Sequence, residues 1–205
     1  TSVVRGSVQG ESHGGIYTVD FEKKEAEQHV DWNTSDIDFE GRGADRGLRG
    51  ICFHDEDIYI AASDELFRYD KDFKSKGSIK NRYLKHAHEI CRIENRIFLT
   101  STGFDSLLSF NIETKQFDWG FQLRKEYDQW TGGLFDPRKS IGPRPVNDFH
   151  INMVDVNEDG IFLSGLKTEG LMHLRADNTV TKVCELPTGT HNPQFWNGGI
   201  IFNDT

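Results

Sequence analysis

Short apolar runs alternate with polar turns along the chain, and this pattern predicts β-strands joined in hairpins. The segment ICFHDEDIYIAA, residues 51 to 62, is typical, with an apolar strand, a polar turn at Asp55 and a second apolar strand. Apolar runs of roughly four to eight residues bounded by Asn, Asp or Gly favour strands, because an amphipathic helix needs a longer periodic run. We therefore predict an all-β protein.

The same hairpin pattern recurs four times. The copies start at Arg49, His88, His150 and His191, and a second hairpin follows each of the first three. The starts are 39, 62 and 41 residues apart, and the long interval equals one period plus an insertion of about twenty residues. A period of about forty residues with four strands per unit is that of a β-propeller blade. We predict a β-propeller of four-stranded antiparallel blades, of which about four are visible.

We predict a single domain over residues 1–205, with a loop insertion at about 124–148. The insertion holds three of the five prolines: Pro137, Pro143 and Pro145. Proline cannot donate to a strand ladder, so we expect residues 126–144 to add no strand to a blade. The insertion leads into the inner strand that starts at His150, which predicts that it lies on the channel face. Both chain ends look like half-blades, which either pair to close a small ring or belong to a larger propeller, and we favour the larger propeller.

The repeat units resemble those of the six-bladed NHL and gluconolactonase-like propellers, and of bacterial propeller families of unknown function. The resemblance covers nearly the whole chain. That superfamily includes lactonases, amidating lyases and pure binding modules, so the resemblance implies a fold and leaves enzyme and binding protein open. It assigns no role to any residue of this chain.

Composition excludes some partners and suggests a compartment. The chain has 24 Lys and Arg against 33 Asp and Glu, a formal charge of −9, which argues against a nucleic-acid partner. No run approaches the ~20 apolar residues that span a bilayer, which argues against a membrane partner. The cysteines form no CxxC pair, so we expect reduced thiols and a cytoplasmic protein, with export left open for a fragment. They are Cys52, Cys91 and Cys184.

The first repeat position is His in three of the four copies. Innermost blade strands line the central channel, so matching positions face one another across it. Neutral imidazoles bind Zn, Fe or Mn, which predicts a metal site formed by His88, His150 and His191, with His86 as an alternative to His88. In the other interpretation, these histidines hydrogen-bond to backbone or to a neighbouring blade and only stabilise the fold.

Other polar residues near this position are candidates for catalysis and substrate binding. Arg49 occupies the first position of the remaining copy, and Arg46 lies in the glycine-rich segment 41–50; both suit an anionic substrate group. Glu89 is the candidate base. DVNEDG, residues 155–160, matches the start of a calcium loop, yet Leu166 stands where that loop needs Glu, so we favour a hairpin turn. Candidate substrate contacts are Asn152, Asn192 and Trp130.

Two hypotheses follow from these patterns. The first is a metal-assisted hydrolase or lyase that acts on a small anionic or carbohydrate-like substrate at the channel mouth. The second is a non-catalytic propeller that uses the same face to bind a protein or a glycan.

Overall fold

A computed structural model describes residues 1–33 and 47–204 of the chain. It contains two compact units, Thr1–Lys80 and Asn81–Thr205. Apart from one 3₁₀ turn at Thr102–Phe104, the regular secondary structure of the described ranges is β-strand, and no helix there is long and apolar enough to cross a membrane. The prediction of an all-β fold is confirmed.

The first unit contains one two-stranded and one four-stranded antiparallel sheet, in which consecutive strands pair. Its strands are β1 (Gly15–Asp20), β2 (Glu25–Asp31), β3 (Leu48–His54), β4 (Asp57–Ala62), β5 (Glu65–Asp70) and β6 (Ser75–Lys80). The central strand β4 is buried from its second residue onward, as a strand covered on both faces should be. Ile58 and Ile60 of β4 pack with Ile16 and Trp32 in the core of this unit.

The second unit contains sheets of five, four and two antiparallel strands, again in chain order. Its strands are β7 (Ile90–Ile93), β8 (Arg96–Ser101), β9 (Ser106–Asn111), β10 (Gln116–Glu126), β11 (Gln129–Phe135), β12 (Ile151–Asn157), β13 (Gly160–Gly165), β14 (Gly170–Leu174), β15 (Val180–Glu185), β16 (Thr190–Trp196) and β17 (Gly199–Asp204). The largest core cluster joins the five-stranded and the four-stranded sheet through Phe121, Leu123, Ile151 and Leu163.

The predicted hairpins of the inner strands are confirmed. Strand β3 pairs with β4 through His54 and Asp57, and β7 pairs with β8 through Ile93 and Arg96, which places the turns at the predicted Asp55 and Asn95. The third copy turns at residues 158–159, where the Asp159 N–H donates to Asn157 Oδ1 at 2.9 Å. This turn confirms the hairpin interpretation of DVNEDG.

The prediction that residues 126–144 add no strand is wrong. Strand β10 continues to Glu126, and β11, Gln129–Phe135, pairs with it as a fifth strand. The three prolines of the insertion all follow β11, so they end the strand and do not prevent it. The insertion is therefore a hairpin that covers β10, followed by an extended segment.

Candidate functional site

The inner strands of the second unit place three histidines at the same strand end. Strand β12 contacts β7 and β8 of one neighbouring sheet and β16 of the other. His88 lies two residues before β7, His150 lies immediately before β12, and His191 is the second residue of β16. We call this region the channel end.

Two of the predicted metal ligands contact each other. The rings of His88 and His150 have centroids 5.3 Å apart and planes inclined by 70°. The His88 side chain is buried, whereas His150 and His191 are half-buried. The structure thus brings the buried ring of His88 into contact with the half-buried ring of His150.

The hydrogen bonds of His88 determine its tautomer. Its Nδ1 atom lies 2.9 Å from the carbonyl oxygen of His86 and 2.9 Å from Thr102 Oγ1. The Thr102 hydroxyl donates its own hydrogen to the carbonyl oxygen of Ile151 at 2.6 Å. Because both neighbours of Nδ1 then act as acceptors, Nδ1 carries the hydrogen, and the lone pair of neutral His88 is on Nε2.

The other two histidines have the same arrangement. His150 Nδ1 lies 3.1 Å from Asn147 Oδ1, and His191 Nδ1 lies 3.0 Å from the carbonyl oxygen of Gly189. An oxygen acceptor beside Nδ1 favours the tautomer that has its lone pair on Nε2. Metal-binding histidines typically donate their second ring nitrogen to an oxygen in this manner.

Asp105 fixes the backbone at His150. Its side chain is fully buried and accepts hydrogen bonds from the N–H groups of Asp148, Phe149 and His150, at 2.6, 3.1 and 2.9 Å. Burial raises the pKa of Asp105 above its ordinary value, and these backbone N–H groups act against the rise. The carboxyl group thereby holds the end of the insertion where it enters β12.

Asn152 is a buried polar side chain without a partner. It is 2% exposed, and neither Nδ2 nor Oδ1 has a hydrogen-bond partner among the described residues. It lies two residues after His150, at the bulge between Ile151 and Met153. Buried amides in folded proteins nearly always bind a protein group or a water, so Asn152 can accept a water or a polar ligand group.

The insertion hairpin reaches the channel end. Strand β10 pairs with β9 only as far as Gln122, and its last residues pair with β11 beyond the end of β9. The Trp130 ring lies 5.1 Å from the ring of Phe149, the residue before His150. The insertion thus contacts the residue that precedes His150, and its predicted position on the channel face stays a prediction.

The remaining predicted residues are distributed over the chain. Glu89 and Asn192 are half-buried neighbours of His88 and His191 in sequence. Arg49 is a half-buried residue of β3 in the first unit, and its carbonyl oxygen accepts a hydrogen bond from the Thr1 hydroxyl. Arg46 lies outside the described residues.

The chemistry of these side chains suits a metal ion, but fewer than three of them are grouped at one place in the part of the chain that the structure describes. Within residues 1–33 and 47–204, no group of three or more His, Cys, Asp or Glu side chains is arranged to hold a metal. The common tautomer of the three histidines suits a divalent ion, and the rings of His88 and His150 are in contact. The three-histidine site therefore stays a prediction.

Sequence reasoning missed Asp105, although the repeat contained a signal for it. An acidic residue precedes the third strand of each complete unit, at Asp64, Asp105 and Glu169. Glu169 also binds the segment before the next inner strand, since its Oε1 accepts a hydrogen bond from the Thr188 hydroxyl at 3.0 Å. In the second unit, Asp105 and Glu169 thus both mark where one sheet holds the entry of the next.

Comparison with known proteins supports the fold. No family model matches the chain. No curated protein matches it in sequence either. Solved structures do match, and those described below are β-propellers.

Three of these structures show the extent of the similarity. BamB from Moraxella catarrhalis has a TM-score of 0.51 at 12% identity, covering 78% of this chain and 41% of BamB. Virginiamycin B lyase from Staphylococcus aureus has 0.50 at 13% identity, covering 88% and 67%. A chain of the mitotic checkpoint complex has 0.53 at 9% identity, covering 93% and 64%. This chain thus spans about two fifths of BamB, and at these identities the likeness shows the β-propeller fold alone.

Proposed function

We propose that this propeller is a metal-assisted hydrolase or lyase that acts on a small anionic or carbohydrate-like substrate at the channel end. The observation that supports the proposal most strongly is the contact between His88 and His150, whose tautomers both leave the lone pair on Nε2. The proposal also includes the propeller type, NHL or gluconolactonase-like, which the repeat units suggest. The three comparison structures do not distinguish one propeller type from another.

The candidate residues of the second unit each have a role in this proposal. His88, His150 and His191 hold a Zn, Fe or Mn ion, which when bound polarises a substrate carbonyl or makes a bound water more acidic. Glu89 serves as the base. Arg49 and Arg46 belong to the first unit and have no role in this proposal. The substrate contacts are Asn152, Asn192 and Trp130.

Elemental analysis of three single variants tests the metal. The variants His88→Ala, His150→Ala and His191→Ala, each purified without a His tag, should lose most of their metal while the melting temperature changes little. His173→Ala is the matched control. His173 Nε2 also lies near a carbonyl oxygen, 2.8 Å from that of Asp159, but His173 lies at the opposite strand end. Unchanged metal content with a lowered melting temperature in all three variants would refute the proposal and show that these histidines are structural.

The second candidate is a binding module for a protein or a glycan. It is favoured by the insertion hairpin, which presents the fully exposed Tyr127 at its tip and holds Trp130 beneath Lys125, whose Nζ lies 5.3 Å from the ring centroid. An exposed aromatic side chain at the tip of a hairpin suits contact with a sugar or a protein surface. Wild-type protein that neither contains nor takes up Zn, Mn or Fe would favour this function.

A further inference from the structure

The second unit has a cleft at the strand ends opposite the channel end. The cleft has a volume of about 500 Å³ and lies between the sheets β7–β11 and β12–β15. Val156, on its wall, is six residues along β12 from His150, which corresponds to about 20 Å of extended chain. The cleft is therefore separate from the site proposed above, and its function does not depend on that site.

The walls of the cleft are apolar. Phe98 and Trp119 form the wall from one sheet, with ring centroids 5.7 Å apart, and Val156 and Ile161 form the wall from the other. Trp119, Val156 and Ile161 each pack on the core cluster and are only half-buried, so part of each side chain faces the cleft. Small-molecule sites are typically pockets of about 300–1,000 Å³ with mostly apolar walls and a few fixed polar groups, and this cleft has that composition.

Guanidinium groups surround this apolar surface in an otherwise acidic chain. Arg96 binds both carboxylate oxygens of Asp118, at 2.7 and 3.1 Å, and Arg138 binds both of Asp136, at 2.8 and 3.0 Å. These two pairs are electrically neutral. Arg175 also lines the cleft, and its side chain has no hydrogen bond or ion pair to any residue that the structure describes.

The guanidinium of Arg175 is therefore available to a ligand with a single negative charge. The nearby carboxylate of Asp177 accepts its hydrogen bonds from the N–H and the hydroxyl of Thr179, and it affects Arg175 only through its charge. A guanidinium binds a carboxylate through two parallel hydrogen bonds, whereas a phosphate monoester would bring nearly two negative charges to one arginine.

We propose that this cleft binds an apolar monocarboxylate. The hydrocarbon part of the ligand lies between Trp119 and Ile161, and its carboxylate binds the Arg175 guanidinium at the rim. The apolar walls supply most of the affinity, and Arg175 selects for the negative charge.

Calorimetric titration of the full chain with octanoate and 4-phenylbutyrate tests this proposal. Saturable binding is expected for at least one of the two, and Arg175→Gln should weaken it by about tenfold or more through loss of a charged hydrogen-bond donor. Arg175 is exposed, so the substitution leaves the fold intact. Arg82→Gln, an exposed arginine of the same unit that does not line the cleft, is the matched control and should bind like wild type.

Two further measurements make the test specific. Octanamide, which has the same chain without the charge, should bind at least about tenfold more weakly than octanoate. His150→Ala should leave octanoate binding unchanged, which separates this site from the channel end. No saturable binding of either carboxylate, equal affinity in Arg175→Gln, or binding of phenyl phosphate in preference to both carboxylates would overturn the proposal.

Discussion

Sheets β3–β6 and β7–β11 arise from the same repeat but carry opposite charges at the same place. Asp57 begins β4 and binds Arg68 of β5 and Lys76 of β6, whereas Arg96 begins β8 and binds Asp118 of β10. The ladders β4–β5 and β8–β9 place Asp57 and Arg96 at matching positions. These two sheets therefore share a charge pair across strands but not the sign of either partner, because both orders satisfy the same geometry.

The two sheets also differ in their fourth strand. Strand β6 is exposed at five of its six positions, and its lysines lie at an open edge, a common way to protect an edge strand. Strand β10 is buried from Gly120 to Leu123, because β11 covers its outer edge. An edge that is protected by charge in one sheet is thus protected by an additional strand in the other.

The largest expected effect concerns Asp105, through which the second of these sheets holds the entry of β12. Asp105→Asn should lower the free energy of unfolding by about 3 kcal/mol, because an amide cannot accept all three backbone hydrogen bonds. Urea denaturation measures this loss. Asp148→Asn, an exposed change in the same segment, should alter stability by less than about 0.5 kcal/mol.

The pH dependence of the same variant tests the electrostatics of Asp105. Burial raises its pKa above 3.8 in the folded protein, so the native state binds its proton more tightly than the unfolded chain does. The stability that Asp105 contributes is then greatest below pH 3.8 and decreases as the pH rises through the folded pKa. The difference between wild type and Asp105→Asn should shrink over that range. A difference that grows instead would mean that the backbone N–H groups outweigh burial.

An intermediate effect is expected where β11 covers β10. A Cβ atom at Gly132 would lie 2.1 Å from the Phe121 ring and 2.5 Å from the carbonyl oxygen of Gln122, whereas one at Gly133 would meet nothing closer than 3.7 Å. Gly132→Ala should therefore cost about 2 kcal/mol, and Gly133→Ala less than about 0.5 kcal/mol, in thermal denaturation. Equal and small effects at the two positions would show that the close packing of β11 on β10 adds little to stability.

The smallest effect is expected at the charge cluster of the first sheet. Burial alone would raise the pKa of Asp57, but Arg68 and Lys76 outweigh it and hold the pKa below 3.8. Asp57 then stabilises the fold above pH 3.8, and this contribution is lost as the pH falls through the folded pKa. Asp57→Asn should cost about 0.5 to 1 kcal/mol at pH 7, and less in 1 M salt. Asp72→Asn, an exposed change in the same sheet, is the control; a salt-independent loss at Asp57 would rule out an electrostatic cause.

Local pattern was sufficient to predict the inner hairpins and the strand end that carries His88 and His150. It was insufficient for β11, because QWTGGLF contains two glycines and alternates poorly, and only its pairing with β10 makes it a strand. Asp105 was missed for a similar reason. Nothing near it in sequence shows that residues 148–150 return to within hydrogen-bond distance of its side chain.

The sequence by itself determined the strand content, the spacing of the repeat and the common position of the three histidines, because each depends on residues a few positions apart. The tertiary structure decided which of those histidines are in contact, that the Asn152 side chain is buried, and where the apolar cleft beside Arg175 forms. These features depend on how one sheet packs against the next. Packing between sheets is set by side-chain volumes and hydrogen bonds of residues far apart in the chain, which no local pattern records.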